Sequence, residues 1–384
     1  MLIEIHMIQN HSPSNLNRDD LGAPKTCVFG GVTRARISSQ CLKRSIRRSP
    51  EFAAALEKDG GVRTRRLIEE IAKEAAGEGN QPQDHLKAIR KVFDDGGVGL
   101  DKNDVYRFDI LFFLPRSAIK EMGAAVKPGN GDLGKKFAAI IGNFVKTPDI
   151  ALCGRMTEFD AKGPFADLKG KFNVEAALSA AHAISTHAVV NEVDYFTAAD
   201  DIPGQDAGAG HVNEAGFNSA CFYKHFCIDW EQLLKNLNGD VELATTTVKC
   251  FLEGAAMANP SGKQHAYAAF NCPDGILVEV KTESPTPVSY ANAFADPVPE
   301  KSQRGLIRES IARLGQYVHD IANGYGIKAQ RFWFSPSNRY ALTYVEDKRE
   351  EPVIDGDGST GDFGEFVTGV MKALNGVQVD EAAS

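Results

Sequence analysis

No apolar run in the chain approaches the roughly 20 residues needed to span a bilayer; Ile110-Leu-Phe-Phe-Leu-Pro115 is far too short. The opening Met1-Leu-Ile-Glu-Ile-His6 has neither the basic nor the apolar region of a secretory signal. The seven cysteines (27, 41, 153, 221, 227, 250, 272) form no CxxC pair, and an odd number fits reduced thiols better than a disulfide framework. These absences point to a soluble, cytoplasmic protein with no membrane partner. Also missing are GxxxxGK[ST], HExxH, GxSxG and paired-cysteine zinc patterns. Gly96-Gly-Val-Gly99 lacks the preceding strand and the GxxG context of a dinucleotide fingerprint. No cofactor is called for, and nothing argues strongly for an enzyme.

What the chain does have is enough apolar sequence for a large core. Of 384 residues 43% are hydrophobic and 24% charged, which suits one large domain with insertions or two domains. The formal charge is −8, yet no Asp or Glu occurs from Lys25 to Ser49, where seven cations fall: Lys25, Arg34, Arg36, Lys43, Arg44, Arg47 and Arg48. One sign of charge concentrated inside a chain of the other sign suits a polyanionic partner. Arg34 and Arg36 alternate with Val32, Ala35 and Ile37, as in a strand with one wet face. Ser38 or Ser39 can cap a helix starting near Gln40. At about 100° per residue, Gln40, Lys43, Arg44, Arg47 and Arg48 share one arc and Leu42, Ile46 and Cys41 the other. The helix N-terminus would add free amides for an anion. Most charge runs are merely solvated faces, but such faces carry acidic partners for i,i+4 pairing, and this one has none.

Along the chain, residues 2–8 read as a strand, followed by a turn-rich segment from Asn10 to Asp20. Helical spacing recurs at 52–58, 65–76 and 85–93 between glycine-rich breaks, which marks a helical insertion with a possible strand at 107–114. Ile150–Met156 reads as a strand. For 174–187 the alanine content favours helix and the alternation Ala181-His-Ala-Ile-Ser-Thr-His187 favours strand. The loop 190–215 between strands at 180–189 and 217–228 should form a hairpin-like arm. Further on come a helix at 240–257, strands at 264–270 and 276–281, a helix at 302–322, and a last short helix carrying Phe363, Phe366, Val370 and Leu374.

Chemistry-bearing residues are few. Asp19 and Asp20 could bind a divalent metal, although adjacent carboxylates in a turn are more often caps. His182 and His187 are five apart, poor spacing for a joint metal site, and each reads as a structural histidine. We assign no metal site.

The blocks His11-Ser-Pro-Ser-Asn-Leu-Asn-Arg-Asp-Asp20, Phe29-Gly-Gly and Arg36-Ile-Ser-Ser-Gln-Cys-Leu-Lys-Arg44 closely resemble the N-terminal signature of the CasC family, the backbone subunit of the type I-E CRISPR Cascade complex. The likeness continues through Asp149–Met156, Ala181–His187, Asp194–Asp201, Lys263–Asn271, Ala291–Phe294 and Ile321–Gly326. The helical insertion and the acidic tail resemble the family only weakly.

This resemblance implies an α+β fold: a modified RRM/ferredoxin-like palm with a helical finger insertion and a projecting thumb hairpin. The palm would take 1–50, 148–189 and 217–384 with the tail, the fingers 51–147 and the thumb 190–216. It implies a non-catalytic subunit that polymerises along a CRISPR guide RNA beside other Cascade subunits and further copies of itself, presenting the guide to target DNA. Carried over by position, Arg18, Arg36, Ser38, Gln40, Lys43, Arg44, Arg47 and Lys263 would bind RNA. Met156 and Phe196 would wedge against bases, with Val212 placed opposite Phe196; an isolated Met, Phe or Val is more often ordinary core. The competing expectation is a metal-dependent ribonuclease using Asp19 or Asp20.

Overall fold

The computed structural model describes residues 1–56, 60–77, 81–126, 132–143, 147–198, 211–283, 285–299, 301–354 and 358–383. Two compact units emerge: Met1–Phe52 with Ser179–Ile228 and Val248–Ser384, and Ala53–Leu178 with Asp229–Thr247. The fold is α+β.

The first unit is built on β1, Leu2–Ser14. It is buried almost without interruption, the pattern of a strand covered on both faces, and it runs through the turn-rich sequence expected to break it after residue 8. It pairs antiparallel with Gly275–Lys281, from Leu2 opposite Lys281 to Ile8 opposite Gly275. The described sheet has ten strands. Its main path runs Ser359–Thr360, Gln330–Phe334, Gly275–Lys281, β1, His211–Asp229, Ala183–Ser185, β3 (Val32–Ile37), β2 (Thr26–Phe29). The ambiguous 174–187 stretch thus holds two short strands, Leu178–Ala180 and Ala183–Ser185.

The helix Leu306–Tyr325 buries Ile311, Leu314 and Val318 in a core with Ile8, Tyr223, Leu277 and Trp333. Gly275 is required here, because a Cβ on it would lie 2.3 Å from the Trp333 ring. Polar residues are also buried in this unit. Glu4 accepts hydrogen bonds from the Lys281 ammonium and the Val288 amide, and its carboxylate faces His225 at 3.0 Å. Burial would raise the Glu279 carboxyl, but the hydrogen bond with His6 and the nearby cationic groups hold it at about 2.

Arg34 corrects the wet-face reading of β3. Its side chain is fully buried and its guanidinium donates to the carbonyls of Phe29, Ser185, Phe294 and Ala295. The turn between β2 and β3 fits against the same segment: Gly30 has φ +59°, and a Cβ there would meet the Ala295 carbonyl oxygen at 1.7 Å. Glycine alone allows both the conformation and the approach.

The second unit packs helices Leu67–Ala76, Gln83–Asp95, Arg116–Ala125 and Leu133–Asn143 around an aromatic centre. Phe93 lies 5.0 Å from Phe108 and 5.7 Å from Phe112, centroid to centroid, with Phe137 and Phe165 on its other sides. A two-stranded ladder joins Gly61–Thr64 to Phe112–Pro115. The expected strand at 150–156 is instead the helix Pro148–Cys153: proline occupies the first turn, and Gly154 at φ +70° ends it. Likewise, in place of a strand at 264–270 there is a short helix, Gln264–Tyr267.

No helix among the described residues is long and apolar enough to cross a membrane.

Candidate nucleic-acid interface

The helix α1, Ser39–Arg47, follows directly from β3. Its N-cap is Ser38, whose Oγ accepts from the Cys41 amide at 3.3 Å, while the Ser38 amide donates to Asn17 Oδ1 at 2.9 Å. Leu42 and Ile46 are buried, which turns the opposite arc outward. On that arc Gln40, Arg44 and Arg48 are exposed and Lys43 and Arg47 half-buried. Arg47 also has a partner within the protein. The helix start offers an anion less than the sequence suggested. The Ser39 amide donates to His182 Nδ1 at 3.3 Å and the Cys41 amide is taken by its cap, so side chains must supply most of the positive field.

His182 is exposed and accepts from the Ser39 amide. Partial burial, then the charges of Arg36 and Lys25, hold its pKa below the usual range. Arg36 Nη1 lies 3.4 Å from the same nitrogen, and its Nε donates to the Thr26 carbonyl. His187 binds the Cys221 amide through Nε2.

Two clefts flank α1. One, of about 500 Å³, is lined by Asn17, Arg18, Asp19, Arg44, Ser45 and Gly262 among others. The second, of about 450 Å³, shares Arg44, Ser45 and Ser261 and adds Arg48, Met257 and Phe270. A narrower depression continues past Asn17 to Lys25 and Arg36. Neighbouring members share lining residues, so the three adjoin one another beside α1 and together make up one groove surface. It brings together Arg18, Arg36 and Arg44; Lys263 directly follows Gly262. Asp19 shapes the wall: its Oδ1 accepts from the amides of Leu21 and Ala23, both at 2.9 Å.

The wedge candidates lie elsewhere. Met156 belongs to the second unit and is 82% exposed. Phe196, 48% exposed, sits on Glu192–Ala198, which pairs antiparallel with the start of His211–Asp229. The register sets Asn213 across from Phe196 and Val212 across from Thr197, one residue from the placement expected. Part of the 190–216 thumb assignment, residues 199–210, lies outside the described residues.

Sequence reasoning left three contributors to the groove out of its RNA-binding set, Lys25 among them although it belongs to the acid-free run. Asn17 fixes the helix start, Lys25 extends the cationic wall, and Phe270 stands in the second cleft at 67% exposure. The only available signal for Phe270 was an aromatic residue inside the Lys263–Asn271 block. Glu4, His6 and His225 lie close enough together to ligate an ion. The set is a poor cation site: the Lys281 ammonium and the Val288 amide already use the Glu4 carboxylate, and His6 Nδ1 bonds the Tyr223 hydroxyl at 2.8 Å.

Beneath α1 lies Lys224, 1% exposed, with no ion-pair partner among the described residues. Burial pushes its pKa down to about 8 from 10.5, opposed by the Cys41 thiol. A lysine whose folded value is lowered opposes folding while protonated, so stability should rise as pH climbs from 8 toward 10.5. Lys224→Met should therefore stabilise the protein by roughly 2–3 kcal/mol at pH 7 and abolish that rise; chemical denaturation at pH 7 and pH 10 measures both.

The sequence profile described as CT1975-like protein matches residues 3–354. A search of curated proteins found no match. Among solved structures, a chain described as "CRISPR RNA-guided surveillance complex, pre-nicking" is similar with a TM-score of 0.83 and 30% identity, covering 97% of this chain and 100% of that one. A chain described as "CRISPR RNA-guided surveillance complex" shares the fold at a TM-score of 0.71 and 24% identity, again covering 97% and 100%. Taken with the signature blocks and the ordered match along most of its length, the chain belongs to the CT1975-like protein family.

Proposed function

We propose that this protein is a non-catalytic backbone subunit of a CRISPR RNA-guided surveillance complex, gripping guide RNA by its phosphates. The observation that carries this reading is the set of adjoining clefts along α1, whose lining brings Arg18, Lys25, Arg36, Arg44 and Arg48 together against Asp19, Asp20 and Glu51 in a chain whose formal charge is −8. The fold of the similar chains, whose own description is a CRISPR RNA-guided surveillance complex, supports it. In this reading the first unit acts as palm, the second contributes the fingers, and the paired strands around 192–216 root the thumb.

A subunit that must hold any guide sequence has to read phosphate and sugar, because base edges differ along the strand. Arginines on one helix arc meet that requirement. Copies follow one another along the RNA through a heterologous contact that does not close on itself, and Met156, Phe196 and Val212 interrupt stacking so that short runs of guide remain free to pair with target DNA. Sequence reading then passes to base pairing.

The test is binding of unrelated single-stranded RNA sequences by the full chain. Affinities should agree within a few-fold, and log K should fall linearly with log salt at about −0.7 per phosphate neutralised. Strong preference for one sequence, or a flat salt dependence, rejects the reading. The ribonuclease alternative is weaker, because one oxygen of Asp19 already accepts two loop amides. Incubating the assembled complex with complementary RNA and Mg²⁺ decides it: intact RNA is the expected result, whereas regular cuts lost in Asp19→Ala or Asp20→Ala would favour the nuclease.

A further inference from the structure

We propose that the second cleft beside α1 is a nucleobase subsite in which one unstacked base of the bound strand packs on Phe270; this rests on reading the groove as a phosphate path. The ring is held out in water by a fixed loop. Just before it, Ala269 is fully buried, and its carbonyl accepts from Gln264 Nε2, which also donates to the Pro260 carbonyl at 2.9 Å. Just after it, Asn271 is tied to β1: the Ser12 amide donates to Asn271 Oδ1 at 3.3 Å, and Gln9 Nε2 donates to the Asn271 carbonyl. The loop also holds two non-glycine residues in the left-handed region, Lys263 at φ +45° and Ala268 at φ +48°, a conformation that side-chain-bearing residues seldom adopt. Anchors on both sides of an exposed aromatic ring favour a ring positioned for a ligand over one left out by loose packing.

The chemistry of the walls identifies the ligand. Phe270 presents a π face, Met257, also exposed, adds an apolar wall, and Arg44 and Arg48, against the one carboxylate of Glu51, leave the same space net positive. A flat apolar surface beside two guanidinium groups suits a nucleotide: base on the ring, neighbouring phosphates on the arginines. At about 450 Å³ the cleft falls within the size range of small-ligand pockets. It also adjoins the phosphate path at Arg44, Ser45 and Ser261. Stacking on a ring accepts any base, as a guide-holding subunit requires.

The full chain is titrated with a fluorescein-labelled 12-nucleotide single-stranded RNA and with the same RNA carrying abasic positions, which keeps every phosphate. Phe270→Ala should weaken binding of the intact RNA about 5- to 100-fold with an unchanged salt slope, and Phe270→Trp should restore it. Wild type should bind the abasic strand more weakly by a similar factor, with no further loss in Phe270→Ala. Wild-type affinity in Phe270→Ala overturns the proposal. So does an equal loss on both strands, which points to a contact with a second copy and would change sedimentation. If the Arg18/Lys43/Arg44 alanine variant also leaves affinity and slope unchanged, the groove reading fails too; silence of the Phe270 variants alone removes only the base subsite.

Discussion

Replacing Arg18, Lys43 and Arg44 together with alanine should cost about 100-fold in affinity for single-stranded RNA at 0.1 M salt and flatten the log–log salt slope by about 2. The magnitude follows from counterion release: each neutralised phosphate contributes about 0.7 to the slope, and three contacts are removed. Arg18 and Arg44 line the same cleft, and Lys43 lies on the outward arc between Gln40 and Arg44. Arg47 is left intact because it has a partner within the protein, and its loss would mix folding with binding. Fold stability should change little, since Arg18 and Arg44 are exposed and Lys43 is only half-buried. Fluorescence anisotropy over a salt series measures both quantities; an unchanged slope would falsify the assignment of α1 and the 17–22 loop as the phosphate grip.

Arg34→Ala should do the opposite: a loss of about 3–5 kcal/mol in folding stability and, in the molecules that remain folded, no change in the salt slope. The guanidinium satisfies four backbone carbonyls from three separate segments of the first unit. Removing it strands the two buried acceptors, the carbonyls of Ser185 and Phe294, and opens a void the size of the side chain. Arg34→Lys should rescue only part of the loss, because an ammonium lacks the planar fork that reaches several acceptors at once. Urea denaturation of the two variants provides the test. A salt slope reduced as much as in the groove variant would return Arg34 to the binding surface.

The contrast between Arg34 and Arg44 shows how far the sequence could be read. Both belong to one acid-free run, but helical periodicity sorts α1 well: Leu42 and Ile46 define a buried side and Ser38 a start, so the outward arc follows from local sequence. A strand's two-residue period says only that Arg34 and Ala35 face opposite ways. Which face is wet depends on what covers the sheet, here Ser185 and the Phe294–Ala295 segment from distant parts of the chain. The same limit hid Phe270, whose exposure is fixed by contacts of Asn271 with β1 some 260 residues earlier. Ile150–Cys153 was misread for a different reason. A four-residue apolar run fits strand or helix equally, and the decisive signals were its neighbours, Pro148 and Gly154. The signature blocks carried the family, and the comparisons agree with it; the roles of individual residues in those blocks rest on the groove and on the experiments above.

The central claim is that this chain holds a guide RNA by its backbone, and the nucleic acid that co-purifies with it tests this most directly. The account predicts RNA of defined length, sharing CRISPR repeat-derived ends around variable interiors and protected from ribonuclease in regular steps. Purification free of nucleic acid, or with heterogeneous cellular RNA of no fixed length or ends, would contradict it.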